Sequence, residues 1–236
     1  MSEAGASRAI VVGASGGIGA ALALALEARG HHVARLARHP ADSATLALDL
    51  EREDSIAAAA AALAGQAPFA TIVVATGLLH EARTRPEKAL RDLDPGALDT
   101  YFRVNATGPA LVAKHFVPLL PKRGRSLFAA LSARVGSIGD NRLGGWYGYR
   151  ASKAALNMLV RTLSIELQRT RPDCVCVTLH PGTVDTRLSA PFQRGVAAER
   201  LFDPERAAAQ LLAVLDGLTP ADSGGCWDWE GRPVPP

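Results

Sequence analysis

The sequence predicts an α/β fold: one parallel sheet of about seven strands, doubly wound, with helices on both faces. Three observations point there. Short β-branched runs alternate with longer Ala- and Leu-rich stretches of helical periodicity, the pattern of strands joined by crossover helices. The chain has 236 residues, which suits one large domain, because either half alone would bury too little core. No internal repeat and no long linker divides the chain, so residues 1–236 are expected to form a single domain that carries every element of its site.

Taken in order, residues 8–12 read as a buried first strand, followed by an Ala- and Leu-rich helix over 17–29 that Gly30 closes. Strands are expected at 31–37 and 45–48, a helix at 54–64 and a fourth strand at 69–75. A long helix is expected from Pro95 to about Leu119, then a strand at 125–131. Over 147–168 the apolar residues Leu156, Leu159, Val160, Leu163 and Leu167 recur at steps of three and four, a strong helical period. A sixth strand over 174–179, a helix over 204–215 and a last strand around 225–229 complete the set. Residues 78–94, 134–145 and 185–201 are irregular. Each would follow a strand at the carboxyl edge of the sheet, where open α/β folds bind ligands.

Composition narrows the function. With 48% hydrophobic and 21% charged residues the chain has material for a large core and is not a disordered segment. Its 26 Lys+Arg against 23 Asp+Glu leave a net charge of +3 with no run of one sign, which argues against nucleic acid as a partner. Cys174, Cys176 and Cys226 form no disulfide framework and fit a reducing compartment. Cys174-Val175-Cys176 lacks a second ligand pair, so two buried strand thiols facing one way are expected and no metal. Residues 1–5 show no leader pattern, and the apolar run at 57–64 is too short to span a bilayer. A cytoplasmic protein without membrane partners is the expectation.

Directly after the first strand stands Gly13-Ala14-Ser15-Gly16-Gly17-Ile18-Gly19, and then the first helix. Glycine lets a backbone turn sharply and approach a pyrophosphate, and the helix N-terminus offers free N–H groups and a positive dipole end. Strand, glycine turn and helix together predict a Rossmann-type dinucleotide site that uses Gly13, Ser15, Gly16, Gly17, Ile18 and Gly19. The second strand ends Val33-Ala34-Arg35-Leu36-Ala37-Arg38-His39, with no carboxylate to hold a ribose 2′-hydroxyl. A cation there suits the 2′-phosphate of NADP, so NADPH is expected over NAD, with Arg38 the contact and Arg35 the reserve. Asp49 would hold the adenine amino group or cap the helix that follows. Leu50, Ala75 and Gly77 complete the expected wall.

Tyr149-Arg150-Ala151-Ser152-Lys153 sets a phenol and an ammonium four residues apart on one helix face. A cation beside a phenol favours phenolate, so Tyr149 is expected to titrate below its usual value and serve as an acid/base. Tyr147 lies off that face. Ser15, within Gly13-Ala14-Ser15-Gly16-Gly17, resembles a G-x-S-x-G nucleophile elbow only superficially: it sits too early in the chain and inside the phosphate loop, so a hydrolase is not expected.

The glycine pattern, Tyr149/Lys153 and His180-Pro181-Gly182-Thr183 occur in the order of the short-chain dehydrogenase/reductase family, which the chain resembles over nearly its whole length. The segment Leu131-Ser132-Ala133-Arg134-Val135-Gly136-Ser137, with Asp140-Asn141-Arg142 and Gly144-Gly145-Trp146-Tyr147, resembles its C-factor and sniffer-like carbonyl reductase branch. The resemblance implies hydride transfer between NADP(H) and a small aldehyde, ketone or alcohol. Tyr149 would handle the hydroxyl proton, Lys153 the nicotinamide ribose, and Asn105 a water of the proton relay; the bland alternative for Asn105 is an amide satisfying backbone in a helix kink. Pro181, Gly182, Thr183, Val184 and Thr186 would meet the nicotinamide, and paired long helices imply a homodimer or homotetramer.

Two departures stand out. The family's Asn-Asn-Ala-Gly is Val74-Ala75-Thr76-Gly77, and its Ser-Ser pair is Ser132-Ala133. Ser132 is the expected catalytic serine and Ser137 the reserve. The departures, with the C-factor likeness, leave a second reading open: a cofactor-binding signalling protein of little turnover.

Overall fold

The computed structural model describes residues 7–81 and 84–236; the reading of residues 1–5 as leaderless lies outside them. Nine strands occur among the described residues: β1 (Arg8–Val12), β2 (His32–Ala37), β3 (Thr45–Ala47), β4 (Thr71–Val74), β5 (Ser126–Leu131), β6 (Cys174–His180), β7 (Thr183–Val184), β8 (Leu201–Phe202) and β9 (Cys226–Asp228). Seven of them form one sheet in the order β3-β2-β1-β4-β5-β6-β9, every neighbouring pair parallel. The remaining two, β7 and β8, pair as a short parallel ribbon, which the sequence reading did not assign, at either end of the segment it left irregular.

Six α-helices cover the sheet: α1 (Gly17–Ala28), α2 (Glu53–Leu63), α3 (Pro95–Phe102), α4 (Gly108–Phe116), α5 (Tyr147–Thr170) and α6 (Pro204–Gly217). Alternation along the strands divides the core in two. Ile10, Val12, Ile72, Val74, Phe128 and Ala130 point to the face of α2, α4 and α5, whereas Val11, Val73, Ala129 and Leu131 point to that of α1 and α6. Strands buried on both sides explain the near-continuous apolar runs of the sequence. Cys174 and Cys176 share the first face, buried and unpaired by disulfide.

The helix expected over 95–119 is not uniform. A π-helical turn at Arg103–Thr107 interrupts it, and its last turn, Val117–Leu119, is 3₁₀. Pro109 lies just beyond the π turn and has no N–H to bond the carbonyl of Asn105 four residues earlier, a local reason for the ladder to change register. No helix among the described residues is long and apolar enough to cross a membrane.

After β3 the chain returns past β1 to build β4 on the other side, so the strand order reverses between β1 and β4. Diverging connections open a crevice at such a reversal. The site lies there.

Candidate active site

Above the carboxyl ends of β1 and β4 is a cavity of about 610 Å³. Its floor is the glycine turn. The Gly13 and Ala14 N–H groups both donate to the Leu36 carbonyl (2.8 and 3.0 Å), which fastens the turn to β2. Gly13 has φ +90°, a left-handed conformation that side chains resist. A Cβ on Gly19 would lie 2.1 Å from the Gly13 oxygen, and one on Gly17 would lie 2.8 Å from Thr186 Cγ2. Helix α1 then starts with no side-chain cap and no acidic residue in its first turn, so its positive end is left for a ligand. Gly13, Ser15, Gly16, Gly17 and Ile18 line the cavity. Gly19 does not; it lies beneath the turn and permits its closure.

At the end beyond β2, Arg38 lines the cavity with His39. Arg35, the reserve cation, points elsewhere and is committed to Glu27 of α1 (Nη2–Oε2 2.7 Å). Asp49 and Leu50 also line this end. Asp49 accepts the Glu51 N–H (3.0 Å) in a local turn and does not cap α2, whose N-cap position falls on Arg52 with no side-chain cap bond.

At the other end, Ala75, Thr76 and Gly77 follow β4 along the wall, and Ser132, Tyr149 and Lys153 converge on it. The Ser132 hydroxyl is buried without a hydrogen-bond partner, as is that of Thr76. A buried hydroxyl left unpaired is costly unless something arrives to meet it. Ser137 offers no such group. Its hydroxyl accepts the Asp140 N–H (3.1 Å) and lies outside the cavity lining. The neighbour of Ser132, Ala133, packs with the Tyr149 ring.

Lys153 Nζ lies 5.9 Å from the Tyr149 ring centroid and donates to the Leu131 carbonyl (2.8 Å). Helical spacing brings the two side chains together as expected, but the electrostatic expectation needs correction. Burial pushes the Tyr149 phenol above its usual value and brings the Lys153 ammonium down to about 8. Desolvation of both groups outweighs their attraction while the ammonium bonds a carbonyl and not the phenol. A group whose folded-state value lies below its unfolded value of 10.5 in this way costs stability wherever both states are charged, and the cost lifts as pH rises from about 8 to 10.5. Lys153→Met is therefore expected to stabilise the ligand-free protein at pH 7 by on the order of 2 kcal/mol. The gain should fade above pH 8 in thermal melts; a gain independent of pH would contradict the assignment.

Asn105 stands on the π turn, fully buried. Its Oδ1 accepts the Leu78 N–H (2.7 Å), and its Nδ2 donates to the Leu78 carbonyl (2.8 Å) and to Ser152 Oγ (3.1 Å). The amide thus does satisfy backbone, but of the wall strand after Gly77 and not of its own helix. Ser152, which the sequence reading passed over, in turn donates to the Tyr149 carbonyl (2.9 Å) and so links Asn105 to α5.

Pro181 and Thr186 line the cavity, whereas Gly182 and Val184 do not. Gly182 (φ +76°) makes the turn against Phe202 and Trp229, and Val184 is buried beside Phe202. Leu188 and Phe192, from the irregular segment after β7, pack with Trp146 on the cluster around Tyr149 and give that segment an apolar underside. The Trp146 ring lies 6.1 Å from that of Tyr149 and 5.1 Å from that of Phe192, both edge to face. Across the mouth, His80 Nε2 meets the Arg187 carbonyl at 3.1 Å.

Comparison with known proteins agrees with this geometry. Residues 7–196 match the short chain dehydrogenase family. The chain is 38% identical over 148 residues to the C-signal of Myxococcus xanthus, covering 62% of this chain and 83% of that protein. It is 33% identical over 228 residues to 1-hydroxy-2-glutathionyl-2-methyl-3-butene dehydrogenase of Rhodococcus sp. (strain AD45), covering 92% and 94%. Among solved structures, the NADPH-bound carbonyl reductase from chicken fatty liver superposes with a TM-score of 0.84 at 24% identity, covering 98% of this chain and 94% of that one. With the fold, the glycine turn and a family match over most of its length in agreement, the chain belongs to the short-chain dehydrogenase family of oxidoreductases.

Proposed function

We propose that the protein is an NADP(H)-dependent carbonyl reductase acting on small, apolar aldehydes or ketones. The observation that carries the reading is the convergence of Ser132, Tyr149 and Lys153, with an unpartnered hydroxyl among them, at one end of a cavity whose other end holds Arg38. When bound, the nicotinamide supplies the hydride for reduction or accepts it in the reverse direction. Tyr149 donates the proton to the substrate oxygen in reduction and takes it back in oxidation. Ser132 donates a second hydrogen bond to that oxygen. Lys153 has one protein acceptor, Leu131, and its remaining N–H donors would hold the ribose hydroxyls. Asn105 holds the segment after Gly77 against α5 and keeps the two sides of the cavity in register. The N-terminus of α1 would hold the phosphates, and Asp49 and Leu50 would flank the adenine.

Leu188, Phe192 and Trp146 surround the phenol with apolar surface and offer no ion partner, which favours uncharged substrates. The NADPH in the chicken reductase and the Arg38 cation just after β2 both favour NADP over NAD. Oxidation of NADPH in the presence of a panel of aldehydes, ketones and diketones, repeated with NADH, tests the whole reading. Arg38→Ala is expected to raise the KM for NADPH about tenfold or more, because a charge-assisted bond to a phosphate is lost, and to leave that for NADH unchanged. Equal effects on both cofactors would remove Arg38 from the 2′-phosphate.

The likeness to a C-signal favours a second reading, a cofactor-binding signalling protein, whose output would survive loss of the Tyr149 hydroxyl. A cytoplasmic location fits the three unpaired cysteines. Pairing into a homodimer or homotetramer would cover the exposed Phe102 of α3 and Met158, Leu159 and Ile165 of α5.

A further inference from the structure

Helix α5 carries both Tyr149 and Lys153, yet its own sequence does not finish its N-terminus. Its N-cap is Trp146, held at φ 55° and ψ 41° in the left-handed region, with no side-chain cap and no acidic residue in the first turn. A left-handed tryptophan is a strained choice and persists only where surrounding contacts enforce it. Beside the ring contacts of Trp146 with Tyr149 and Phe192, backbone hydrogen bonds come from a residue on another loop, Glu87, 61 positions before Gly148. The Glu87 carbonyl accepts the Trp146 N–H at 2.6 Å, and both oxygens of its carboxylate lie within reach of the Gly148 N–H (3.3 and 3.2 Å).

Glu87 is 3% exposed, and no cation pairs with it among the described residues. A buried carboxylate that faces only backbone N–H groups and a helix dipole is rarely neutral packing. Space has been cleared for it as well: a Cβ on Gly148 would meet Glu87 Oε1 at 3.0 Å and the Tyr101 ring at 2.4 Å. The charge reaches the aromatic cluster, since Glu87 adds to burial in raising the Tyr101 phenol, whose ring lies 6.3 Å from that of Tyr149.

We propose that Glu87 is a positioning residue for Tyr149: its buried carboxylate caps the first turn of α5 from the facing loop and fixes where that turn presents the phenol. The same contacts tie Glu87 and its neighbours to the helix that carries the acid/base pair, and Leu78 is joined to that helix separately through Asn105 and Ser152. The inference rests on the reductase reading for its kinetic consequence, but the cap itself can be read without turnover.

Two variants test it in the full-length protein, Glu87→Ala and Glu87→Gln, with NADPH as the probe. The glutamine keeps an oxygen for the Gly148 N–H and the alanine does not. Hydrogen exchange of a peptide spanning residues 145–152 should quicken in Glu87→Ala and return towards wild type in Glu87→Gln. In the same pair, kcat for the best carbonyl substrate should fall about tenfold or more in the alanine variant and recover at least partly in the glutamine variant, with the Kd for NADPH within about twofold throughout. Unchanged exchange and kcat in Glu87→Ala would overturn the proposal. So would an equal loss of NADPH affinity and melting temperature in both variants, which would mean a general packing role. If wild type reduces no carbonyl while exchange follows the predicted pattern, the reductase reading fails and the cap stands.

Discussion

Tyr149→Phe is expected to lower carbonyl reduction by about a thousandfold or more while leaving the affinity for NADPH within about twofold. The substitution removes one oxygen and keeps the ring. That ring is the hub of the aromatic cluster, edge to face with Tyr101 at 6.3 Å and Trp146 at 6.1 Å, so the fold should not change. The residue is 7% exposed and no other proton donor within the cavity lining occupies its place beside Lys153. Ser132 cannot substitute for it, because a hydroxyl of ordinary acidity stabilises the oxygen without delivering a proton at neutral pH. Kinetics and NADPH fluorescence titration on one preparation separate the outcomes. A variant that binds and still turns over at near the wild-type rate would dismiss Tyr149 as the acid. Loss of turnover with signalling output intact would move the assignment to the second reading.

Burial is also what limits Tyr149 without cofactor. The expectation that the neighbouring ammonium would make the phenol more acidic came from spacing alone, and spacing fixes which side chains share a face but not how much solvent they lose. With both groups buried, the phenol rises and the ammonium falls to about 8. Lys153 spends its one protein bond on the Leu131 carbonyl. Sequence has no direct sign of desolvation, so this part of the electrostatics was not legible.

The parts that were legible share a physical feature: each is a local rule. Short β-branched runs placed the seven strands, because strands buried on both faces read as brief apolar runs, and helical period placed the helix of Tyr149, because a buried helix stripe has a fixed repeat. The glycine turn was readable because few other sequences make that turn. Ser132 was ranked above Ser137 by its place in the segment alone, and the hydroxyl partners add a physical ground that sequence lacks: one is unpartnered and the other is held by Asp140. Arg38 was likewise preferred to Arg35 from sequence, which had no sign of Glu27 on the adjoining helix. The π turn under Asn105 had a signal in Gly108-Pro109 that periodicity passed over, since apolar spacing survives one inserted residue. Glu87 had none, because its partner lies 61 residues away on a helix whose own start looks merely uncapped.

Gly19→Ala is the backbone counterpart of the tyrosine experiment, and its effect should fall on binding instead of chemistry. A Cβ there would sit 2.1 Å from the Gly13 oxygen and 2.8 Å from the Gly13 carbonyl carbon. Neither atom can rotate away as a side chain would. Gly13 is itself pinned, by its N–H bond to Leu36 and by the Gly16 N–H that its oxygen accepts at 3.0 Å. The turn must therefore open, and opening it moves the α1 N-terminus away from the cavity floor. Overpacking of this kind costs about 1–3 kcal/mol even where side chains can adjust, so NADPH binding should weaken by roughly a hundredfold or more. Gly65→Ala is the control, since nothing lies within 4 Å of a Cβ at that position. Isothermal titration with NADPH on both variants, beside their melting temperatures, decides the matter. Wild-type affinity in Gly19→Ala would mean that the phosphates do not rest on this turn, and the dinucleotide assignment would fail at its foundation. A loss confined to Gly19→Ala, with helix content kept, would tie the cofactor to a turn where two stretches of backbone approach too closely for any side chain.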